Sequence, residues 1–220
     1  FQANPEATDS NFYLNGIDLD LQWAKIDGEK INPTISPTGL SLKVNKKEFV
    51  WECEVIINPK NNTALEGLYI SNGMYCTQCE AEGFRKITYY PDRPDVMAEF
   101  FVRIEGDKDT LLSNGNPTAQ GKGWIEWHDP WPKPSYLFAL VAGDLISVTD
   151  SFKTCSGRNV ELNIYVRPGD EDKCAFSMDA LKTSMKWDEE NYGREYDLNL
   201  FNIVAVDDFN MSAMENMGLN

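Results

Sequence analysis

The sequence predicts a mainly β fold: an antiparallel β-sandwich over roughly the first two thirds of the chain, then a segment of mixed α+β character. Three observations carry this expectation. Apolar residues alternate with polar ones in four separate runs, and turn residues separate those runs at the spacing of a sandwich. After a continuous apolar stretch at residues 136–142, the period changes from two to that of a helix.

Ile17, Leu19, Leu21 and Trp23 form the first run, interleaved with Asp18, Asp20 and Gln22. Phe49, Trp51, Cys53, Val55 and Ile57 form the second, with Glu52 and Glu54 between them. Phe100, Val102 and Ile104 make the third, and Val160, Leu162, Ile164 and Val166 the fourth. Each reads as a strand with one buried face, because successive side chains on a strand point to opposite sides. Asp27-Gly28, Asn32-Pro33, Asn58-Pro59, Asn72-Gly73 and Asn114-Gly115-Asn116-Pro117 are the turn signals. Tyr136 to Ala142, ending at Gly143-Asp144, reads as a central strand that closes the first unit.

Beyond it, Asp170 to Asn191 reads as a helix, with Phe176, Ala180, Leu181 and Met185 at helical spacing and Gly193 as its stop. The acidic trio Asp170-Glu171-Asp172 suits the positive end of a helix dipole and suits a solvated loop equally well. Leu200 to Val206 reads as a buried strand. The change of character therefore places a boundary near residue 150.

A chain of 220 residues, 42% hydrophobic and 12% aromatic, can bury one good core and part of a second. Its net charge of −15, from 20 basic and 35 acidic residues, argues against nucleic acid and anionic membrane surfaces, which call for clustered Lys or Arg. No apolar run approaches the roughly 18–20 residues of a membrane-spanning helix. Cys53, Cys76, Cys79, Cys155 and Cys174 are odd in number and scattered, unlike a disulfide framework, which points to a reducing, cytoplasmic setting.

The segment richest in chemistry follows the last strand: Met211-Ser212-Ala213-Met214-Glu215-Asn216. Small residues there can expose backbone N–H and C=O groups to an extended peptide, and one carboxylate beside them can hold a cation. Cys76-Thr77-Gln78-Cys79 has the spacing of a redox dithiol or of half a zinc site. It has no second pair to complete a zinc site, and strand and turn flank it where a redox motif would open a helix. The two cysteines are read as neighbours of Gln78 and Glu80. His128, placed in a Trp-rich turn, is read as a hydrogen-bonded structural side chain, and Trp124, Trp127 and Trp131 as packing residues. Arg85, Asp92 and Arg93 are expected to tie turns together through ion pairs, with Arg93 and Asp95 supporting the loop that carries Glu80.

Several segments together resemble one family. They are 62–69, 76–85, 87–95, 112–116, 132–144, 185–190 and 212–216, among them Cys76-Thr77-Gln78-Cys79-Glu80 and Ser212-Ala213-Met214-Glu215-Asn216. They resemble the zinc aminopeptidases of the aminopeptidase N type in their bacterial form, from about Thr63 to Asn220, with only a loose match before that. The resemblance implies a saddle-shaped β domain at residues 1–152, followed at residues 153–220 by the first, incomplete part of a thermolysin-like catalytic domain. It implies Glu80 and Glu215 as anchors for the substrate's free amine, with a third anchor beyond this chain. It also implies Gln78 and Met211 as walls of the pocket for the first side chain, and Ala213, Met214 and Asn216 as the strand that holds the substrate backbone.

The family's zinc is held by H-E-x-x-H on a helix plus a further Glu. This chain has one histidine and no such motif. Its expected partners are peptides with a free N-terminus and the missing C-terminal part of the same enzyme. No zinc and no activity are expected of the chain alone. Ser212 stands where the family usually has Gly, which leaves either an ordinary backbone there or stored strain. The alternative from another class is a β-sandwich interaction module without peptidase activity. The joint presence of Gln78-Cys79-Glu80 and Ala213-Met214-Glu215-Asn216 argues against it.

Overall fold

The computed structural model describes residues 1–2 and 10–220. In chain order the strands of the first half are β1 (Asn11–Asn15), β2 (Asp20–Ile26), β3 (Glu29–Lys30), β4 (Thr34–Ser36), β5 (Gly39–Lys43), β6 (Trp51–Ile56), β7 (Gly67–Ser71) and β8 (Met74–Gln78). They are followed by β9 (Met97–Glu105), β10 (Thr110–Ser113), β11 (Asn116–Gly121), β12 (Trp124–Pro134), β13 (Leu140–Gly143), β14 (Ile146–Lys153) and β15 (Asn159–Val166). Helix α1 (Ala175–Tyr192) and strand β16 (Leu200–Val204) complete the described elements. The fold is mainly β, as the alternation predicts, and its ladders are antiparallel except for the parallel pairing of β15 with β16.

Two small sheets, β1-β5-β4 and β3-β2-β6, enclose Leu14, Leu40 and Tyr89 with Phe12, Leu19, Leu21, Trp51 and Val55 packed around them. The sheet β10-β13-β8-β7 packs with β11-β12-β9 over Tyr69, Met74, Cys76, Ile104, Leu112, Trp127 and Val141. Leu219, from the far end of the chain, joins that same core. Between these layers Phe84 lies edge-on to Tyr90 and to Phe138, with ring centroids 5.2 Å apart in each case. Such edge-to-face pairs contribute about 0.5–1.5 kcal/mol each beyond the area they bury.

Turn chemistry sets the hairpins. Asn72 and Gly73 join β7 to β8 with φ of 46° and 85°, and Asp27 and Gly28 join β2 to β3 with 50° and 82°. Positive φ at both central residues is the two-residue turn whose twist matches a hairpin, and it selects Asn-Gly and Asp-Gly.

The third and fourth runs behave as expected: Ile104 is buried, and Val160, Leu162, Ile164 and Val166 are 0%, 0%, 3% and 6% exposed. The first run is displaced. Residues 16–19 form a bend with Asp18 at φ 57°, so Ile17 and Leu19 precede the strand. A register shift between Leu21 and Trp23 then turns Ala24 inward, because a bulge adds one residue and moves the buried face. Residues 136–142 are strand only in their second half. Ser135–Leu137 is a 3-10 turn, whose Leu137 C=O accepts from Asn114 Nδ2 (3.0 Å) while the Ala139 N–H donates to Asn114 Oδ1 (2.7 Å). From Leu140 onward β13 is central, between β10 and β8.

Strand β14 pairs with β15 along its whole length, from Ile146 against Val166 to Lys153 against Asn159. Helix α1 lies on this sheet. Its buried stripe is Met178, Leu181 and Met185, preceded by Cys174, at spacings of three and four. Phe176 is 83% exposed and Ala180 is exposed too, contrary to the sequence reading. A step of two residues is 200° of helical rotation, so Phe176 and Met178 cannot share a face. The acidic trio does not head the α-helix: Glu171–Lys173 is a 3-10 turn, and the α-helix opens at Ala175. Gly193 ends it as expected, in the left-handed region at φ 61°, with its N–H on the carbonyls of Asp188 and Glu189.

Candidate functional site

Strand β8 delivers Gln78, its last residue, into the interior at 1% exposure. The Gln78 Nε2 donates to Glu80 O at 3.2 Å and reaches Met214 Sδ at 3.6 Å. Its Oε1 has no partner among the described residues. Glu80 is half-buried and borders a 480 Å³ cleft with Tyr13, Arg85, Arg93 and Tyr136.

The loop carrying Glu80 is clamped on several sides. Gly83 N–H donates to Cys79 O at 2.8 Å. A Cβ at Gly83 would stand 2.3 Å from Gln78 O and 2.9 Å from Gly67 N, so only glycine lets the loop fold back onto β8. Asp92, 5% exposed, accepts from the Arg85 backbone N–H (3.1 Å), from Arg85 Nε (3.0 Å) and from Ser135 Oγ (2.5 Å). The sequence expects Arg93 and Asp95 to support this loop. They instead pair with each other in the open at 2.6 Å, and Arg85 with Asp92 does the supporting.

The second segment arrives from β16. Asp207 accepts from Asn72 Nδ2 (3.0 Å) and pairs with Arg167 Nη2 (2.8 Å), and these two partners hold its carboxyl below the usual carboxylate range. Asn210 Nδ2 donates to the carbonyls of Ala64 and Leu65. At the other end Asn114 Nδ2 donates to Met217 O at 3.1 Å, and Gly218 and Asn220 bond to Asn202 on β16.

Between these ties, Met214 and Asn216 are buried, while Met211, Ser212, Ala213 and Glu215 face solvent. Asn216 Oδ1 is a second buried acceptor without a partner among the described residues. Residues 211–216 pair with no strand, contrary to the expectation of a strand at Ala213, Met214 and Asn216; only Leu219 makes a bridge, to Asn202. The ties at either end hold the segment irregular, and its mid-chain backbone is left without a ladder. Ser212 sits in ordinary backbone, since the non-glycine residues with positive φ are Asp18, Asp27, Leu65 and Asn72.

The structure therefore brings Gln78 and Met214 into contact across 136 residues of sequence, with Glu80 and Glu215 close by in the chain on either side of that contact. Neither carboxylate is held in an ion pair or hydrogen bond among the described residues, whereas Asp92, Asp129 and Asp207 all are. A carboxylate without a partner beside a buried wall can accept a cationic group.

The remaining sequence candidates have structural roles. Cys76 and Cys79 are buried and free, and burial pushes the Cys76 thiol up to about 11 and the Cys79 thiol upward as well. His128 lies on β12, not in a turn. Its ring stacks on Phe101 at 4.0 Å, the residue opposite it on β9. Trp127 is core and donates to Leu111 O, Trp124 lies under the Arg103 guanidinium, and Trp131 is 46% exposed. Among the described residues no group of three or more His, Cys, Asp or Glu side chains is placed to hold a metal ion. Among the described residues no helix is long and apolar enough to cross a membrane. Sequence reasoning missed Tyr69, Ser71, Asn114 and Asp208. The only available signal was an acidic pair directly after a strand and an Asn-Gly turn.

Residues 7–137 match the Peptidase M1 N-terminal domain, and residues 176–220 match the Peptidase family M1 domain. The chain is 54% identical over 217 residues to Aminopeptidase N of Caulobacter vibrioides, covering 94% of this chain and 25% of that protein. To Aminopeptidase N of Escherichia coli it is 52% identical over 223 residues, covering 97% and 26%. The crystal structure of Legionella pneumophila aminopeptidase A in complex with aspartic acid superposes with a TM-score of 0.90 at 32% identity, over 98% of this chain and 27% of that one. The chain thus spans about a quarter of the length of these relatives. With one match over its β sheets, a second over α1, β16 and the Glu215 segment, and a superposable solved structure, this chain belongs to the M1 peptidase family.

Proposed function

We propose that this chain is the part of a zinc aminopeptidase that recognises the free amine of a peptide substrate, within a longer cytoplasmic protein that removes N-terminal residues. The observation that carries the reading is the Gln78–Met214 contact, which joins the two segments bearing the carboxylates Glu80 and Glu215. An exopeptidase has to count from an α-ammonium. At about 4 Å, one carboxylate attracts it by roughly 4 kcal/mol before desolvation at an effective dielectric near 20. Blocked and internal peptides forgo that attraction, which makes it a selectivity device.

In this reading Glu80 and Glu215 accept hydrogen bonds from the ammonium. Gln78 and Met211 border the first side chain, and a flexible Met there adapts to apolar residues of different length. Ala213, Met214 and Asn216 run beside the substrate backbone, and Ser212 narrows that approach by one hydroxyl. In this reading zinc belongs to the whole protein, and it enters no step assigned to these residues. The domain division at residues 152 and 153 is proposed on the same footing, with β14 shared into the second sheet. Five free cysteines support the reducing compartment.

The test is steady-state kinetics of the full-length protein on alanyl p-nitroanilide and its N-acetyl form. Glu80→Gln and Glu215→Gln are each expected to lower kcat/KM by roughly tenfold to a hundredfold, the range for one hydrogen bond to a charged group. The acetylated substrate should not be cleaved. Variants that keep kcat/KM within about twofold of wild type would remove both residues from amine recognition.

A further inference from the structure

We infer that Tyr69, Ser71 and Asp208 are positioning residues that set the height of the Met211–Asn216 segment against the end of β8, an inference that rests on the aminopeptidase reading above. Tyr69 and Ser71 are two apart on β7 and so face the same side, and both are 0% exposed. Tyr69 donates its hydroxyl to Asp208 O at 2.8 Å. Ser71 Oγ donates to Asp208 Oδ2 at 2.9 Å and accepts from the Asp208 N–H at 3.0 Å. A serine hydroxyl has one proton to give and lone pairs to receive, so this single side chain closes a two-bond ring with Asp208. Three hydrogen bonds from one strand thus converge on one residue, 137–139 positions away in sequence.

That residue lies three positions before Met211. Among the described residues the one side-chain hydrogen bond from 211–216 to the rest of the chain joins Met214 to Gln78, and the segment has no ladder. The placement of Ser212 to Glu215 is accordingly fixed from the segment's ends, by Asp208 and Asn210 on one side and by Asn114 under Met217 on the other. None of the three inferred residues borders the open carboxylates. Their effect on a substrate is preorganisation: a segment already held in its bound shape loses less conformational freedom when the amine docks. Removing one tie leaves the fold intact and makes the amine-binding groups less well placed, which appears in KM ahead of kcat.

The experiment compares Tyr69→Phe, Ser71→Ala, Asp208→Ala and Asp208→Asn in the full-length protein, with KM, kcat and the thermal midpoint measured on alanyl p-nitroanilide. Tyr69→Phe keeps the buried ring and so tests the hydroxyl without opening a cavity. KM should rise roughly fivefold for each lost hydrogen bond, with kcat within about twofold of wild type. Asp208→Asn, which keeps a side-chain acceptor for Ser71, should recover most of the Asp208→Ala loss. A lowered midpoint with KM unchanged in all variants would show a purely structural role and overturn the inference. So would Asp208→Asn being as impaired as Asp208→Ala. Glu80→Gln belongs in the same series. If it leaves KM unchanged, the amine-anchor reading falls and this inference with it. If it raises KM while the four variants do not, this inference alone falls.

Discussion

Asp92→Ala is the substitution whose cost can be worked most fully from the geometry. The Asp92 side chain is 2% exposed and that of Arg85 13%, with Nε and Oδ2 3.0 Å apart. Truncation removes the acceptors of the Arg85 backbone N–H, the Arg85 Nε and the hydroxyl of buried Ser135. Two interactions survive: Arg85 Nη2 keeps its bond to the Asp92 carbonyl at 3.0 Å, and Nη1 keeps Glu82 at 3.1 Å. Glu82 is 68% exposed, and such a pair contributes about 0–1 kcal/mol. Breaking a buried pair by removing one partner costs about 3–5 kcal/mol, and the surviving contacts put Asp92→Ala at the low end, about 3 kcal/mol. At roughly 2–4 °C per kcal/mol for a chain of this size, the thermal midpoint should fall by about 6–12 °C. Thermal unfolding by circular dichroism reads this directly. Arg85→Met added to Asp92→Leu should recover part of the loss, because no charge is then left buried alone. A fall of less than about 1 kcal/mol for Asp92→Ala would refute the reasoning and leave the Glu80 loop held by Gly83 and the aromatic cluster.

Two further outcomes follow from the packing and the charges. Met178→Ala should destabilise the chain by about 2–5 kcal/mol while Phe176→Ala stays within about 0.5 kcal/mol; equal effects in thermal unfolding would put the sheet on the other face of α1. Asp207 has its pKa depressed below the ordinary 3.8, first by the Asn72 hydrogen bond and then by Arg167. A depressed carboxyl stabilises the fold above its unfolded pKa and loses that contribution as the pH falls through the folded one. The difference in stability between wild type and Asp207→Asn should therefore be open above about pH 4 and close below it. A difference independent of pH between 2 and 6 would show that the ion pair is not what Asp207 contributes.

Much of the fold was legible because local patterns repeat. Val160 to Val166 alternate over four buried positions, and only a strand with one covered face does that. Asn72-Gly73 has the residues that two successive positive φ values require, and Gly193 the one residue that ends α1 in the left-handed region. The misreadings arose where a neighbour distant in sequence decided. Nothing near Leu21 announces the register shift against β6, and nothing near Tyr136 says that the Asn114 side chain takes up the Leu137 C=O and the Ala139 N–H. Phe176 was misplaced for a different reason. An apolar residue at a helix start fits either face by spacing, and the sheet underneath chose the stripe through Met178.

The same division applies to the site. The sequence by itself determined the residue types that the chemistry needs: a glutamine and a glutamate at the end of one strand, a glutamate among small residues after another, and no histidine pair to hold a metal. Only the tertiary structure decided that Gln78 and Met214 touch, that among the described residues Glu80 and Glu215 find no side-chain partner while Asp92 and Asp207 do, and that Tyr69 and Ser71 hold Asp208. The physical reason is range. Side-chain period and turn conformation are set within a few residues, whereas which carboxylate finds a cation depends on contacts between segments some 140 residues apart, and only packing brings those together.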